Sequence, residues 1–131
     1  MLQNQTAEIG IESIFTNAII DQFVRSNRLA IKSPAKADAV LTGSISRIRS
    51  EIASRRSPEE TLTTRIYITL DLTLRKRESG EVLWHDDSLS YFAEYGEADN
   101  VQLTRGARRL AIIKIANFLA EKVHENIFLT F

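Results

Sequence analysis

The sequence contains no cysteine. That excludes disulfides, thiolate nucleophiles and cysteine-based metal sites together, but it leaves the cellular compartment open. Only two Pro and five Gly are present, so no long linker or low-complexity tract is expected. No apolar run reaches the roughly 18 residues needed to span a bilayer as a helix. The opening MLQNQTAEIG lacks the basic and apolar regions of a signal peptide. It reads as an abrupt start, as expected of a chain whose upstream segment has been trimmed. Neither charge sign is in excess. Seventeen basic and seventeen acidic side chains cancel, which argues against a nucleic-acid partner, since such proteins carry a basic surplus.

Catalytic and metal-binding patterns are also missing. The two histidines, His85 and His124, fall on different elements, so no metal site is expected, and His85 reads as a strand residue beside a bulge. Glu59-Glu60 and Asp86-Asp87 are adjacent pairs. Neighbours along a strand point to opposite faces, which makes them poor acid–base couples. No serine sits in a Gly-x-Ser-x-Gly elbow, and Gly43 stands outside any glycine-rich phosphate cradle. Trp84 reads as a core or sheet-face anchor. The expectation is a protein that is not an enzyme and carries no cofactor.

The periodicities that are present define one domain, residues 1–131, large enough to bury a core. From about Glu8 to Asn27, the residues Ile11, Ile14, Phe15, Ala18, Ile19 and Phe23 form one helical stripe. Thr6, Glu8 and Glu12 suit a capped start. RLAIKS, residues 28–33, reads as a short strand ended by Pro34. Residues 37–55 form a second strand whose apolar parity slips between Ile45 and Ile48, which a bulge accommodates. A loop follows at residues 55–60. TRIYITLDLTLRKR, residues 64–77, then alternates strictly: Ile66, Ile68, Leu70, Leu72 and Leu74 on one parity, polar residues on the other. ESG turns the chain into EVLWHDDSLSYFAEY. There Val82 and Trp84 point inward, then Leu89, Tyr91, Ala93 and Tyr95, with a second slip at Asp86-Asp87. The last helix, from about Val101 to Phe128, buries Ala111, Ile112, Ile115, Ala116, Leu119, Val123 and Ile127. Arg105, Arg108, Arg109, Glu121 and Glu125 take its other side.

Helix, strand run, helix has a simple solution: an α+β fold with both helices on one face of a mostly antiparallel or mixed sheet of about four strands. The opposite face is then left uncovered. Arg47, Arg49, Arg65, Arg75 and Arg77 share the polar parity of two neighbouring strands, and Lys76 lies between the last two. Several guanidiniums on one face suit carboxylate or phosphate contacts. A solvated face balanced by Glu51 and Asp71 is the competing account.

Several phrases resemble the LptE family of lipopolysaccharide-assembly lipoproteins of the outer membrane. LQNQTAEIGIESIFTNAIIDQF resembles its opening, with Asn4 and Thr6 matching an Asn-x-Thr phrase. ADAVLTGSIS resembles its Ala-Asp, apolar pair, Gly phrase through Ala37, Asp38, Val40, Leu41 and Gly43. SGEVLWHDDSLSYFAEY resembles its hairpin return through Gly80, Trp84, Glu94 and Tyr95. The resemblance implies two helices on a four-stranded sheet. It also implies a lipid-anchored protein on the periplasmic side of the outer membrane, seated within an LptD β-barrel that it helps to assemble, and in some members binding of lipopolysaccharide itself. The lipobox cysteine and most of the first strand before Asn4 are missing, both expected of a trimmed chain. On this reading Arg47, Arg49, Arg65, Arg75, Lys76 and Arg77 are the candidate lipopolysaccharide or partner contacts. Another envelope lipoprotein, such as a peptidoglycan-synthase activator, shares the Asn-x-Thr and Ala-Asp phrases and the Trp hairpin, and is the alternative.

Overall fold

The computed structural model describes residues 2–26, 38–54, 62–97 and 100–130. The strand expected at residues 28–33 and the loop at 55–60 lie outside them. Within them run β1 (Gln3–Asn4), α1 (Ile11–Ser26), β2 (Ala39–Ser54), β3 (Thr63–Lys76), β4 (Val82–Gly96) and α2 (Val101–Thr130). The strands lie in the order β1-β2-β3-β4. β1 pairs with β2 in parallel, and the other two pairings are antiparallel. The expected α+β architecture is therefore the one formed, with a mixed sheet and a very short first strand.

β3 sets the two faces. Its residues from Thr64 to Leu74 alternate between buried and half-buried, with Ile66, Ile68, Leu70 and Leu72 fully enclosed. The enclosing layer is the helix pair. α1 contributes Ile11, Phe15, Ile19 and Phe23, and α2 contributes Ala111, Ile112, Ile115, Ala116, Leu119, Val123 and Ile127. The two helices start together, where Arg108 meets Glu8. They end together, where the Phe23 and His124 rings lie 5.0 Å apart. They therefore run in the same direction.

Both parity slips are register shifts. One lies between Ile45 and Arg47, and returns Arg47 and Arg49 to the face shared with Thr69 and Tyr67. The other takes the partner of Leu70, Leu89, to Asp86 at Leu72. A third shift corrects the expectation at the start of β4. Leu74 pairs with Trp84 but Arg75 pairs with Val82, so Val82 is exposed and Leu83 packs against the core instead. Ile52 also departs from its parity. It lies on the inward parity, opposite buried Thr64, yet is exposed.

Two short sequence phrases have clear local roles. The Asn4 Oδ1 accepts from the Thr6 backbone N–H at 2.9 Å and from its hydroxyl at 2.6 Å, while Asn4 Nδ2 donates to the Glu8 carbonyl and to Glu12. Asn-x-Thr thus builds the turn between β1 and α1 from side chains, as Asn and Thr do well, rather than capping the helix itself. At Gly43, a Cβ would overlap the Asp71 carbonyl oxygen and lie 2.9 Å from the Leu72 Cα. Glycine lets β2 approach β3 closely at that point.

Candidate functional site: the open face of the sheet

The face turned away from the helices carries Arg47, Arg49 and Glu51 from β2. It carries Arg65, Tyr67, Thr69, Asp71 and Thr73 from β3, with Glu94, Phe92, Ser90 and His85 opposite them on β4. Its centre at one end is aromatic. The Tyr67 and Phe92 rings lie 5.5 Å apart on neighbouring strands. The Arg49 guanidinium sits 4.2 Å over Tyr67, and that of Arg65 sits 4.7 Å over Phe92. Such stacking is the ordinary use of a planar guanidinium on an aromatic face.

Carboxylates close the arrangement. Arg65 donates to Glu94 Oε1 through Nε at 3.0 Å and Nη2 at 2.6 Å. Arg49 donates to Glu51 at 2.8 Å, and the Tyr67 hydroxyl donates to the same carboxylate at 2.9 Å. The Tyr67 hydroxyl and the Arg49 guanidinium together hold the Glu51 carboxyl below its usual range. Arg65 is held more firmly protonated by its bonds to Tyr67 and Glu94.

The candidate arginines therefore share a face but not one cluster. Arg49 and Arg65 meet around the aromatic pair, with Arg47 on the same strand. Arg47 has no side-chain hydrogen bond or ion pair among the described residues. Arg75 lies ten residues along β3 from Arg65, about 33 Å away at strand rise. It donates to the Gly80 carbonyl at 3.2 Å, while Lys76 faces Glu81 at 3.5 Å and Arg77 faces Glu78 at 3.9 Å. The whole hairpin tip, residues 75–82, is exposed. Gly80, at φ 73°, and the bond from its N–H to the Lys76 carbonyl turn the chain there.

His85 also lies on this face. Its Nδ1 is 2.9 Å from the Thr73 hydroxyl and 3.9 Å from Asp71, a local strand contact. Among the described residues no group of His, Asp and Glu has the arrangement of a metal site. Trp84 packs on the helix side against the core.

Sequence reading undervalued Phe92 and Glu94. The signal was there: Phe92 is an aromatic on the outward parity of its strand, between Tyr91 and Ala93, which face the helices. It also placed Arg108 on the solvent side of α2, whereas Arg108 turns inward. Its guanidinium reaches Glu8 at 2.8 and 3.1 Å, the Tyr95 hydroxyl at 3.0 Å and the Ser50 hydroxyl at 3.2 Å.

Comparison with known proteins agrees with this architecture. The family model for LptE, described as lipopolysaccharide-assembly, matches residues 1–127. No curated protein sequence matches the chain. A candidate lipoprotein of Caulobacter crescentus CB15 superposes with a TM-score of 0.63 at 13% identity, over 96% of this chain and 86% of its own. Rare lipoprotein B of Shewanella oneidensis gives 0.62 at 10% identity, over 98% and 92%. A minor lipoprotein of Acinetobacter baumannii gives 0.60 at 12% identity, over 96% and 87%. At such identities the likeness establishes the fold.

Proposed function

The chain belongs to the LptE family of lipopolysaccharide-assembly lipoproteins, and from that premise we propose that it is a non-catalytic plug and assembly partner of an LptD-type outer-membrane β-barrel, lipid-anchored on the periplasmic side. The observation that carries this reading is the open sheet face. Its helix side is fully used by the core, while the other side presents an exposed, polar and aromatic surface. Barrel interiors are polar, so a plug needs such a face and not an apolar one. Tyr, Phe and Arg are also the residues enriched where proteins bind each other.

The two groups of basic residues have different chemistry under this reading. Arg49 and Arg65 are each engaged by a carboxylate and an aromatic ring, which suits a protein wall better than a phosphate. Arg47, and Arg75, Lys76 and Arg77 at the hairpin tip, are the contacts proposed for lipopolysaccharide phosphates or acidic barrel residues. The test is co-purification of a tagged barrel with this chain. A Tyr67→Ala/Phe92→Glu variant is expected to lose capture while staying folded, with its melting temperature lowered only by the lost cross-strand ring pair. Undiminished capture would overturn the assignment of this face. Charge reversal at Arg47 and Arg75 is expected to weaken lipopolysaccharide binding in the same preparation.

A further inference from the structure

β2 is paired on both sides for only part of its length. β1 lies beside it at Ser44 and Ile45 and then turns away, the last bond running from the Gln5 N–H to the Ile45 carbonyl at 3.1 Å. Beyond Ile45, no strand among the described residues pairs with that edge. The alternation of an antiparallel ladder says which groups are left there. The Leu62 carbonyl accepts from the Glu97 N–H on the β4 side, so Thr64, Ile66 and Ile68 bond towards β4, and Arg65, Tyr67 and Thr69 towards β2. Their partners Glu51, Arg49 and Arg47 are thereby used. Ile48, Ser50 and Ile52 turn their backbone N–H and C=O groups away from β3, and such a row is a template for a further strand.

The side chains around this edge are unmatched in two ways. Ile52 is 60% exposed although it lies on the helix-side parity, and Ile9 is 96% exposed. Arg108 marks where the helix layer ends, since it holds both Glu8, just before α1, and the Ser50 hydroxyl. β2 runs on past Ser50 to Ile52, and α2 begins before Arg108, so both project beyond that contact at the same end of the sheet. Arg105 and Arg109 lie two turns before Ile112 and Ala116 and share their helix line. Ile112 and Ala116 are buried in the core, whereas Arg105 and Arg109, level with the segment that precedes α1, are exposed. The two arginine side chains have no hydrogen bond or ion pair among the described residues. The carboxylates at this corner are already taken, Glu8 by Arg108 and Glu51 by Arg49 and Tyr67.

We propose that this corner takes an extended acidic segment of a partner protein as an added strand on β2. Each part of the corner specifies part of the occupant. The outward N–H and C=O groups of Ile48, Ser50 and Ile52 call for a strand. Ile52 and Ile9 call for apolar side chains on its helix side, and Arg105 and Arg109 call for carboxylates. A basic strand leaves the arginines unmatched, and a wholly polar one leaves the isoleucines uncovered. The site lies at the edge and helix side of the sheet, apart from the open face, so it goes beyond the plug reading and does not rest on it.

The test is fluorescence anisotropy of a labelled peptide made of two Glu-Glu-Val-Val repeats, which places both residue types on both faces of a strand. Saturable binding to the full chain is expected, weakening as salt is raised, with no binding of the Lys-Lys-Val-Val counterpart. The acidic peptide should also slow hydrogen exchange at the Ser50 and Ile52 amides. Ile52→Pro removes one outward N–H without taking a bond from β3, and Arg105→Glu/Arg109→Glu reverses the charges. Each is expected to weaken binding by about tenfold or more while the protein stays folded. Failure of the acidic peptide to bind, equal binding of the basic one, protection confined to another edge such as β4, or wild-type binding by either variant would overturn the proposal. Barrel capture by the open face is a separate measurement, so the two readings fail independently.

Discussion

Arg108 and Glu8 lie 100 residues apart in sequence and are joined by two hydrogen bonds, Nε to Oε2 at 3.1 Å and Nη2 to Oε1 at 2.8 Å. Arg108 also reaches Tyr95 and Ser50, so one guanidinium ties the segment before α1 to α2, β4 and β2. The pair is partly shielded from solvent, which gives it more weight than an open surface pair.

The Glu8 carboxyl is held below its ordinary value of 4.5, first by the hydrogen bond from Arg108 and then by its charge, against the opposing effect of burial. A carboxylate with a depressed folded-state pKa contributes stability above its unfolded value, and that contribution is lost as pH falls through the folded value. Glu8→Gln is therefore expected to destabilise the protein by about 1–2 kcal/mol at neutral pH. The gap should close on acidification below the ordinary carboxylate range. Urea titrations of both proteins across that window check it, and a gap that stays constant with pH would contradict the pairing.

Gly43→Ala tests the close approach of β2 to β3. The new methyl would overlap the Asp71 carbonyl oxygen, a backbone atom that cannot swing away. Separating the strands breaks ladder bonds on both sides, so a loss of at least about 2 kcal/mol is expected. Gly80→Ala is the useful contrast. Its φ is 73° with open space around it, so only backbone strain of about 1 kcal/mol is expected. Denaturant midpoints of the two variants should rank in that order.

Sequence reading succeeded where one local period decided the outcome. Each of the alternating residues Ile66 to Leu74 went to the predicted face, as did the seven α2 residues from Ala111 to Ile127 named for the core. Both parity slips were visible because a strand cannot change face without a bulge. What was not legible depends on distant partners. The inward turn of Arg108 needs Glu8, and the exposure of Val82 follows from its register against Arg75. Ile52 has the right parity but lacks cover. On the open face the arginines could be placed by parity. The place of Arg75, Lys76 and Arg77 at the hairpin tip followed from the turn at residues 78–80. The stacking of Arg49 and Arg65 on rings, with carboxylates beside them, could not be read, because it depends on which residues β2 and β4 set beside them.

Ile115 and Ile52 separate parity from burial. Ile115 lies on the core stripe of α2 and Ile52 on the inward parity of β2, but only Ile115 is enclosed. Ile115→Ala is expected to cost about 2–5 kcal/mol through lost burial and a residual cavity, and Ile52→Ala no more than about 0.5 kcal/mol. Thermal unfolding of the two variants distinguishes them, and equal costs would mean that Ile52 is covered.

The stacked end of the open face makes a prediction about salt. Arg49 on Tyr67 and Arg65 on Phe92 combine charge with ring contact, and exposed ion pairs alone contribute little and are screened. If the aromatic pair is the contact, capture of the barrel should depend more on the rings than on the charges. Tyr67→Ala/Phe92→Ala is then expected to reduce capture by about tenfold or more, a size set by the loss of aromatic anchors from an interface centre. Arg49→Gln/Arg65→Gln should reduce it less, with a milder salt dependence than wild type. Titration of a tagged barrel at low and high salt measures both effects. A larger loss from the arginine variant than from the aromatic one would move the recognition from the rings to the charges.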